Sequence, residues 1–192
     1  MTETQTPTFQ DLIFEDLGKV ARMTLNRPAV TNALSMRLSA EFTTALDYLR
    51  DSKRFKVVVI AGSGDNFCAG DDVTEMGSGA WGDANQIMRR VRGYQHMANV
   101  LEELDKITIA SVDGYCVGGG LEMTVACDFV ICTERSRWGM PEVDGGITRG
   151  WGGTTRVADA GLGLQAWRLQ CSRWLPISFF IGFEICQGRC VT

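Results

Sequence analysis

The sequence predicts an α/β protein wound as a spiral of repeated ββα units, and three observations point there. Short apolar strand-like runs alternate with longer amphipathic stretches. The order strand, glycine turn, helix, strand occurs twice. The glycines gather at the ends of the apolar runs instead of recurring at a fixed period.

Taken in order, residues 12–15 and 20–25 flank Asp16-Leu17-Gly18-Lys19 and read as an opening hairpin. Asn26-Arg27-Pro28 ends it, because proline cannot donate to a ladder. From Leu34 the apolar positions Leu38, Phe42, Ala45, Leu46 and Leu49 oppose Arg37, Glu41, Asp47 and Arg50, the pattern of an amphipathic helix. Residues 55–60 form a β-branched run too short for a helix, expected to be covered on both faces, and end at Ala61-Gly62-Ser63-Gly64. A turn leads into residues 67–72. A glycine-rich stretch from Gly77 to Gly82 reads as a mobile lid or substrate-dependent loop. A second amphipathic helix then carries Ile87, Val91, Tyr94, Ala98, Leu101 and Leu104 in register. Residues 107–112 are the next strand, residues 121–127 a short helix and residues 129–132 a further strand.

A chain of 192 residues has room for one domain of ordinary size. Its core is expected over residues 1–158. Residues 159–192 hold no clean helical or alternating register and read as an atypical tail. With 19 Lys and Arg against 23 Asp and Glu, and no basic stripe, a nucleic-acid partner is not expected. The amino-terminal ten residues are polar and lack an apolar run, and residues 177–183 fall far short of a bilayer span, so no membrane partner is expected. Seven cysteines without a Cys-x-x-Cys pair, beside a single histidine, make no zinc site and fit small thiols in a reducing cytoplasm. His96 lies in a helical stretch far in sequence from any cysteine and beside no glycine-elbow motif, which argues against nucleophilic triad chemistry.

The chemistry concentrates at Gly118-Gly119-Gly120-Leu121-Glu122. Three glycines before a short helix allow close backbone approach, and the first N–H groups of that helix have no partner inside it. An oxygen that gains negative charge during a reaction would be held there by a hydrogen bond and the helix's positive end. Gly119 is the expected donor, although the same glycines would also serve simple close packing. Glu122 stands within the first turn, and Trp138-Gly139-Met140-Pro141-Glu142 supplies a second carboxylate. In isolation Glu122 reads as a capping or solvated acid and Glu142 as a loop acid. Brought together across a pocket, two carboxyl groups can grip one water, one taking its proton while the other protonates carbon. Burial and like charge would separate their proton affinities. That chemistry adds water to a conjugated double bond through an enolate, so oxyanion donors are as necessary as the acids.

Several separated motifs occur in the order found in the enoyl-CoA hydratase/isomerase, or crotonase, superfamily, which the sequence resembles over about residues 10–157. They are Leu25-Asn26-Arg27-Pro28 with Asn32-Ala33-Leu34, Phe67-Cys68-Ala69-Gly70-Asp71-Asp72-Val73-Thr74-Glu75-Met76, Val112-Asp113-Gly114-Tyr115-Cys116-Val117 running into the glycines and Glu122, and Pro141-Glu142 with Gly152-Gly153-Thr154-Thr155-Arg156. The resemblance implies a crotonase-like stack of ββα turns whose carboxyl-terminal helical part is missing or atypical in this sequence. It implies an oxyanion hole from the N–H groups of Asp71 and Gly119, with Glu122 and Glu142 holding and activating water. Ala69, Gly70, Asp72, Val73 and Thr74 would lie against the bound acyl-CoA. Coenzyme A would enter as part of the substrate, with no permanently bound cofactor, and the assembly would be a homotrimer or a hexamer.

Three departures bear on function. Asp144-Gly145-Gly146-Ile147-Thr148-Arg149-Gly150-Trp151 adds a charged and bulky set near the expected acyl pocket, which points to an acyl group that is polar or otherwise unlike a plain fatty chain. Asp71 occupies a position where the family commonly has a small residue such as alanine, and its side chain would repel the thioester oxygen or orient a polar group of the substrate. Family members also continue well past the position of Arg156, through helices that close the acyl pocket and build the trimer contact. Hydration of a 2-enoyl-CoA is the expected activity. The alternatives are an isomerase working mainly through Glu142, another crotonase-type reaction such as thioester hydrolysis or retro-aldol cleavage, and an inactive truncated homologue or subunit-like binding protein.

Overall fold

The computed structural model describes residues 7–77, 83–146 and 148–157. The lid expected over residues 77–82 lies outside these except for Gly77, and the tail expected over 159–192 lies wholly outside them.

The chain opens with strands β1 (Leu12–Leu17) and β2 (Val20–Leu25), paired antiparallel from Leu17↔Val20 to Leu12↔Leu25. The hairpin is therefore tighter than expected, since Asp16 and Leu17 belong to β1 and only Gly18 and Lys19 form the turn. A 3-10 turn at Pro28–Val30 leads to helix α1 (Met36–Asp51), whose first turn is capped by Ser35 Oγ accepting from Leu38 N–H at 3.1 Å. Then follow β3 (Val57–Gly62), α2 (Val73–Gly77), α3 (Ala84–Glu102), β4 (Ile107–Val112), β5 (Tyr115–Val117), α4 (Gly119–Thr124), β6 (Phe129–Cys132), β7 (Arg137–Gly139), a 3-10 turn at Pro141–Gly145 and α5 (Gly153–Val157).

Five strands form one sheet in the order β1-β2-β3-β4-β6, parallel from β2 onward. Short extended pieces stack beside it: β5 pairs with β7, Cys68 bridges Cys116, and Leu34 bridges Asp71. Each turn of the spiral thus places one long strand in the large sheet and one short segment in the small layer before a helix returns the chain. The sequence shows this order twice; the structure repeats the strand pair at β2, β3, β4 and β6. The extra turns escape a periodicity reading because the segments around Leu34 and Cys68 are too short to carry any alternation.

The strand expected over 55–60 is displaced to Val57–Gly62 and has no exposed position, as expected for a strand covered on both faces. By contrast β4 leaves Ile107 and Ser111 exposed. Helix α1 buries Leu38, Phe42, Ala45, Leu46 and Leu49, the expected stripe. Helix α3 buries Tyr94, Met97, Ala98, Val100 and Leu101, and ends before Leu104, which is buried in the connection to β4. The short helix expected over 121–127 instead spans Gly119–Thr124 and is buried along its whole length. With no polar face it has no amphipathic stripe, and its start is fixed by the backbone turn at Gly118.

The motif residues Arg27, Asn32 and Asp72 fasten the turns together. Asn32 Oδ1 accepts from Arg27 N–H at 2.9 Å, while its Nδ2 donates to Ser63 O and Asn66 O at 2.9 and 2.8 Å. Arg27 Nη1 donates to Ala33 O at 2.6 Å and to Asp72 Oδ2 at 2.8 Å. Residues 68–72 are held between the first and second turns by these contacts.

Candidate active site

Two tight turns of the small layer meet at the site. Gly70 and Gly118 both have positive φ, at 86° and 54°, a region closed to most side chains. Each precedes a residue expected to donate an N–H. The turns touch: a Cβ built on Gly70 would lie 3.2 Å from Gly119 N.

The ladder explains why Asp71 N–H is spared. Leu34 N–H donates to Gly70 O at 2.8 Å and Leu34 O accepts from Asp72 N–H at 3.1 Å. Successive N–H groups of an extended segment point to opposite edges, so that of Asp71 faces away from this pairing. Gly119 follows the N-cap of α4, where N–H groups have no helical acceptor. Among the described residues, neither N–H takes part in the turn, loop and cap main-chain hydrogen bonds.

Three carboxyl groups surround this turn. Glu122 is 2% exposed, so it is neither a solvated acid nor a surface cap. Its Oε1 accepts from Gly153 N–H at 2.8 Å and Trp151 N–H at 3.1 Å. Burial pushes its pKa up to about 7; the two N–H bonds oppose the rise, and the nearby charges of Glu142 and Asp71 add to it. Glu142 is held by the Pro141–Gly145 turn, with Oε1 2.8 Å from where a Cβ on Gly118 would stand. Its Oε2 is buried without a hydrogen-bond partner among the described residues. Burial raises its pKa as well, opposed by a main-chain hydrogen bond and the Arg149 charge.

Asp71 is the third acid. Its Oδ1 is buried, unpartnered among the described residues, and 2.9 Å from the position of a Cβ on Gly119. Burial raises its pKa to about 7, and the Glu142 charge adds to the rise. The Trp151 indole stands near enough to offset part of it, yet Nε1 and Oδ1 form no hydrogen bond.

The structure therefore brings Glu122, Glu142, Gly119 and Asp71 to one place. The residues expected along an acyl-CoA differ in availability. The N–H of Ala69 is engaged by Thr31 O at 2.9 Å and that of Asp72 by Leu34 O at 3.1 Å, while the Asp72 side chain is committed to Arg27 and to Thr74. Gly70 is buried in the turn, whereas Val73, at 71% exposure, and Thr74 face outward at the start of α2.

Trp151 belongs to the bulky set expected near the acyl pocket, but its pairing with Tyr94 into one wall was not legible in the sequence. Trp151 is fully buried, and its ring stacks on Tyr94 with centroids 4.5 Å apart and planes 12° from parallel. Arg156 fixes this segment, donating to Trp151 O at 2.8 Å, Glu102 Oε2 at 2.8 Å and Asn99 Oδ1 at 2.7 Å. The bulk of Trp151 among glycines was the available signal. On the far side of Tyr94, a groove of about 320 Å³ runs between α1 and α3 past Met36, Arg90 and His96, and none of the three acids lines it. Among the described residues no set of three His, Cys, Asp or Glu side chains is arranged to hold a metal ion, and no helix is long and apolar enough to cross a membrane.

A ββα spiral with acids gathered at a glycine turn defines a crotonase-type fold, and solved structures agree. An enoyl-CoA hydratase from Bacillus anthracis superposes with a TM-score of 0.85 at 28% identity, covering 93% of this chain and 69% of that one. An enoyl-CoA hydratase/isomerase (crotonase) described as putative, from Legionella pneumophila, gives 0.89 at 27% identity, covering 96% and 71%. The family model for enoyl-CoA hydratase/isomerase matches residues 15–165. The chain belongs to the enoyl-CoA hydratase/isomerase family. It is similar to a short-chain-enoyl-CoA hydratase of Clostridium acetobutylicum, 36% identical over 151 residues, which are 77% of this chain and 56% of that protein. The chain spans little more than half the length of such relatives.

Proposed function

We propose that the protein adds water across the double bond of a 2-enoyl-CoA. The observation that carries this reading is the placement of buried Glu122 and half-buried Glu142 around the glycine turn whose Gly119 N–H enters none of the turn, loop and cap main-chain hydrogen bonds among the described residues. Relatives named as enoyl-CoA and crotonyl-CoA hydratases support it.

In this mechanism the N–H groups of Asp71 and Gly119 receive the thioester oxygen. One glutamate, ionised, takes a proton from water as the water oxygen bonds to the β-carbon. The electron pair of the double bond moves toward the thioester, and the enolate oxygen is held by the two N–H groups. The other glutamate, protonated, delivers its proton to the α-carbon. One water is added, and the proton lost by one acid is matched by that gained by the other. Burial raises the proton affinity of both glutamates, that of Glu122 to about 7, which suits acid and base roles in one pair.

Residues 69–74 carry the coenzyme portion, with Val73 and Thr74 outermost; coenzyme A comes and goes with the substrate. Assembly as a trimer or a dimer of trimers in the cytoplasm completes the reading. Double-bond migration through Glu142 is the second reading, favoured by its Oε2, which has no partner among the described residues.

The test follows loss of enoyl absorbance with a short 2-enoyl-CoA. Glu122→Gln and Glu142→Gln are expected to lower the rate by orders of magnitude. Unchanged rates in both variants would overturn the assignment. A gain of conjugation from a 3-enoyl-CoA without any hydration would support the isomerase.

A further inference from the structure

Most buried or half-buried carboxylates of the fold have a partner of their own. Asp72 has Arg27, Asp11 has Arg37, and Asp113 has Arg135 and Thr133. Among the described residues, the buried carboxyl oxygens without a partner are Asp71 Oδ1 and Glu142 Oε2. The proposed hydration uses Glu142 and only the main chain of Asp71, so the Asp71 side chain is unspent.

Its place is specific. Oδ1 lies over Gly119, the expected oxyanion donor, and beside the Trp151 indole, and it is buried although Asp71 as a whole is half-buried. A bound acyl chain that excludes water leaves this oxygen with what the chain itself offers. A plain alkyl chain offers nothing and leaves a buried polar group unpaired. A hydroxyl can accept from the acid or donate to the carboxylate, so it fits either protonation state.

We propose that the Asp71 carboxyl is a specificity-determining group that favours a 2-enoyl-CoA whose acyl part carries a hydroxyl over one with a plain alkyl chain. The proposal deepens the hydration reading and rests on it for the pose of the thioester. The groups around Asp71 are Glu122, Glu142, Tyr94, Cys68 and Trp151. Two acids among them disfavour an anionic acyl substituent. Sites built to hydrogen-bond a substrate hydroxyl reject the analogue that lacks it more strongly than apolar pockets reject a changed methylene.

The experiment compares crotonyl-CoA with 2-enoyl-CoAs hydroxylated at C4 or C5, for the wild type, Asp71→Ala and Asp71→Asn. kcat/KM is read from enoyl absorbance. Binding of the saturated counterparts, butyryl-CoA and its hydroxylated analogues, is read by calorimetry. The wild type is expected to favour a hydroxylated chain by about tenfold or more. Asp71→Ala is expected to erase that ratio and Asp71→Asn, which can still donate and accept, to keep part of it. A ratio unchanged in Asp71→Ala, or a wild type indifferent to the hydroxyl in both assays, overturns the proposal while leaving hydration standing. Absent hydration with a binding preference that Asp71→Ala erases overturns the hydration reading and supports this one. If Asp71→Ala does not fold, the wild-type binding ratio decides.

Discussion

Gly153 N–H donates to Glu122 Oε1 at 2.8 Å across 31 residues of sequence, so one of the site's acids is positioned by the start of helix α5. The same oxygen also accepts from Trp151 N–H. Stabilising a buried carboxyl by main-chain donors from a distant segment couples its charge to the folding of that segment.

Replacing Glu122 by Gln should therefore separate stability from activity. Gln keeps an Oε1 acceptor for both N–H groups but carries no charge. The folded-state pKa of Glu122 is raised, so its contribution is most favourable below its unfolded value near 4.5 and is lost as pH rises through about 7. Thermal melts should show the Gln variant more stable than the wild type at pH 8, with the difference closing toward pH 4. Equal melting temperatures at both pH values would refute the burial of a raised acid.

Gly118→Ala should disturb both fold and chemistry. Its φ of 54° and ψ of −128° suit only glycine, and a Cβ would stand 2.8 Å from Glu142 Oε1. A loss of about 1–3 kcal/mol is expected from chemical denaturation. Turnover should fall further than saturation binding does, because the added methyl displaces a reacting acid.

Asp72→Ala should destabilise the protein by about 2 kcal/mol, since it leaves the mostly buried Arg27 with only Ala33 O and the longer Asp11 contact. The Thr74 hydroxyl and Arg27 hold the pKa of Asp72 below its ordinary value, so its stabilisation is present above that value and lost as pH falls. The gap between wild type and variant, followed by urea unfolding, should narrow below about pH 4.

Arg156→Ala should lower kcat by about tenfold or more, because it releases the segment that carries Trp151 and Gly153 from α3. Lysine should not restore the rate, since one ammonium cannot reach Trp151 O, Glu102 and Asn99 in the same planar array. Steady-state kinetics of both variants check this.

Much of the helical skeleton was legible because α1 writes its buried stripe into Leu38, Phe42, Leu46 and Leu49. Helix α4 was misplaced because it is buried all round and starts at a backbone angle, not at a polar-to-apolar boundary. Glu122 and Glu142 could each be named from local motifs, but a motif reports neither exposure nor neighbours.

The sequence by itself determined the periodic elements, the glycines at which the chain must turn, and the residue types available for proton transfer. Only the tertiary structure decided that Asp71, Glu122 and Glu142 share one desolvated place and that Trp151 closes it. The physical reason is that periodicity records the contact of each residue with its own element. Charge coupling and burial depend on distances between residues far apart along the chain, which the winding of the spiral alone sets.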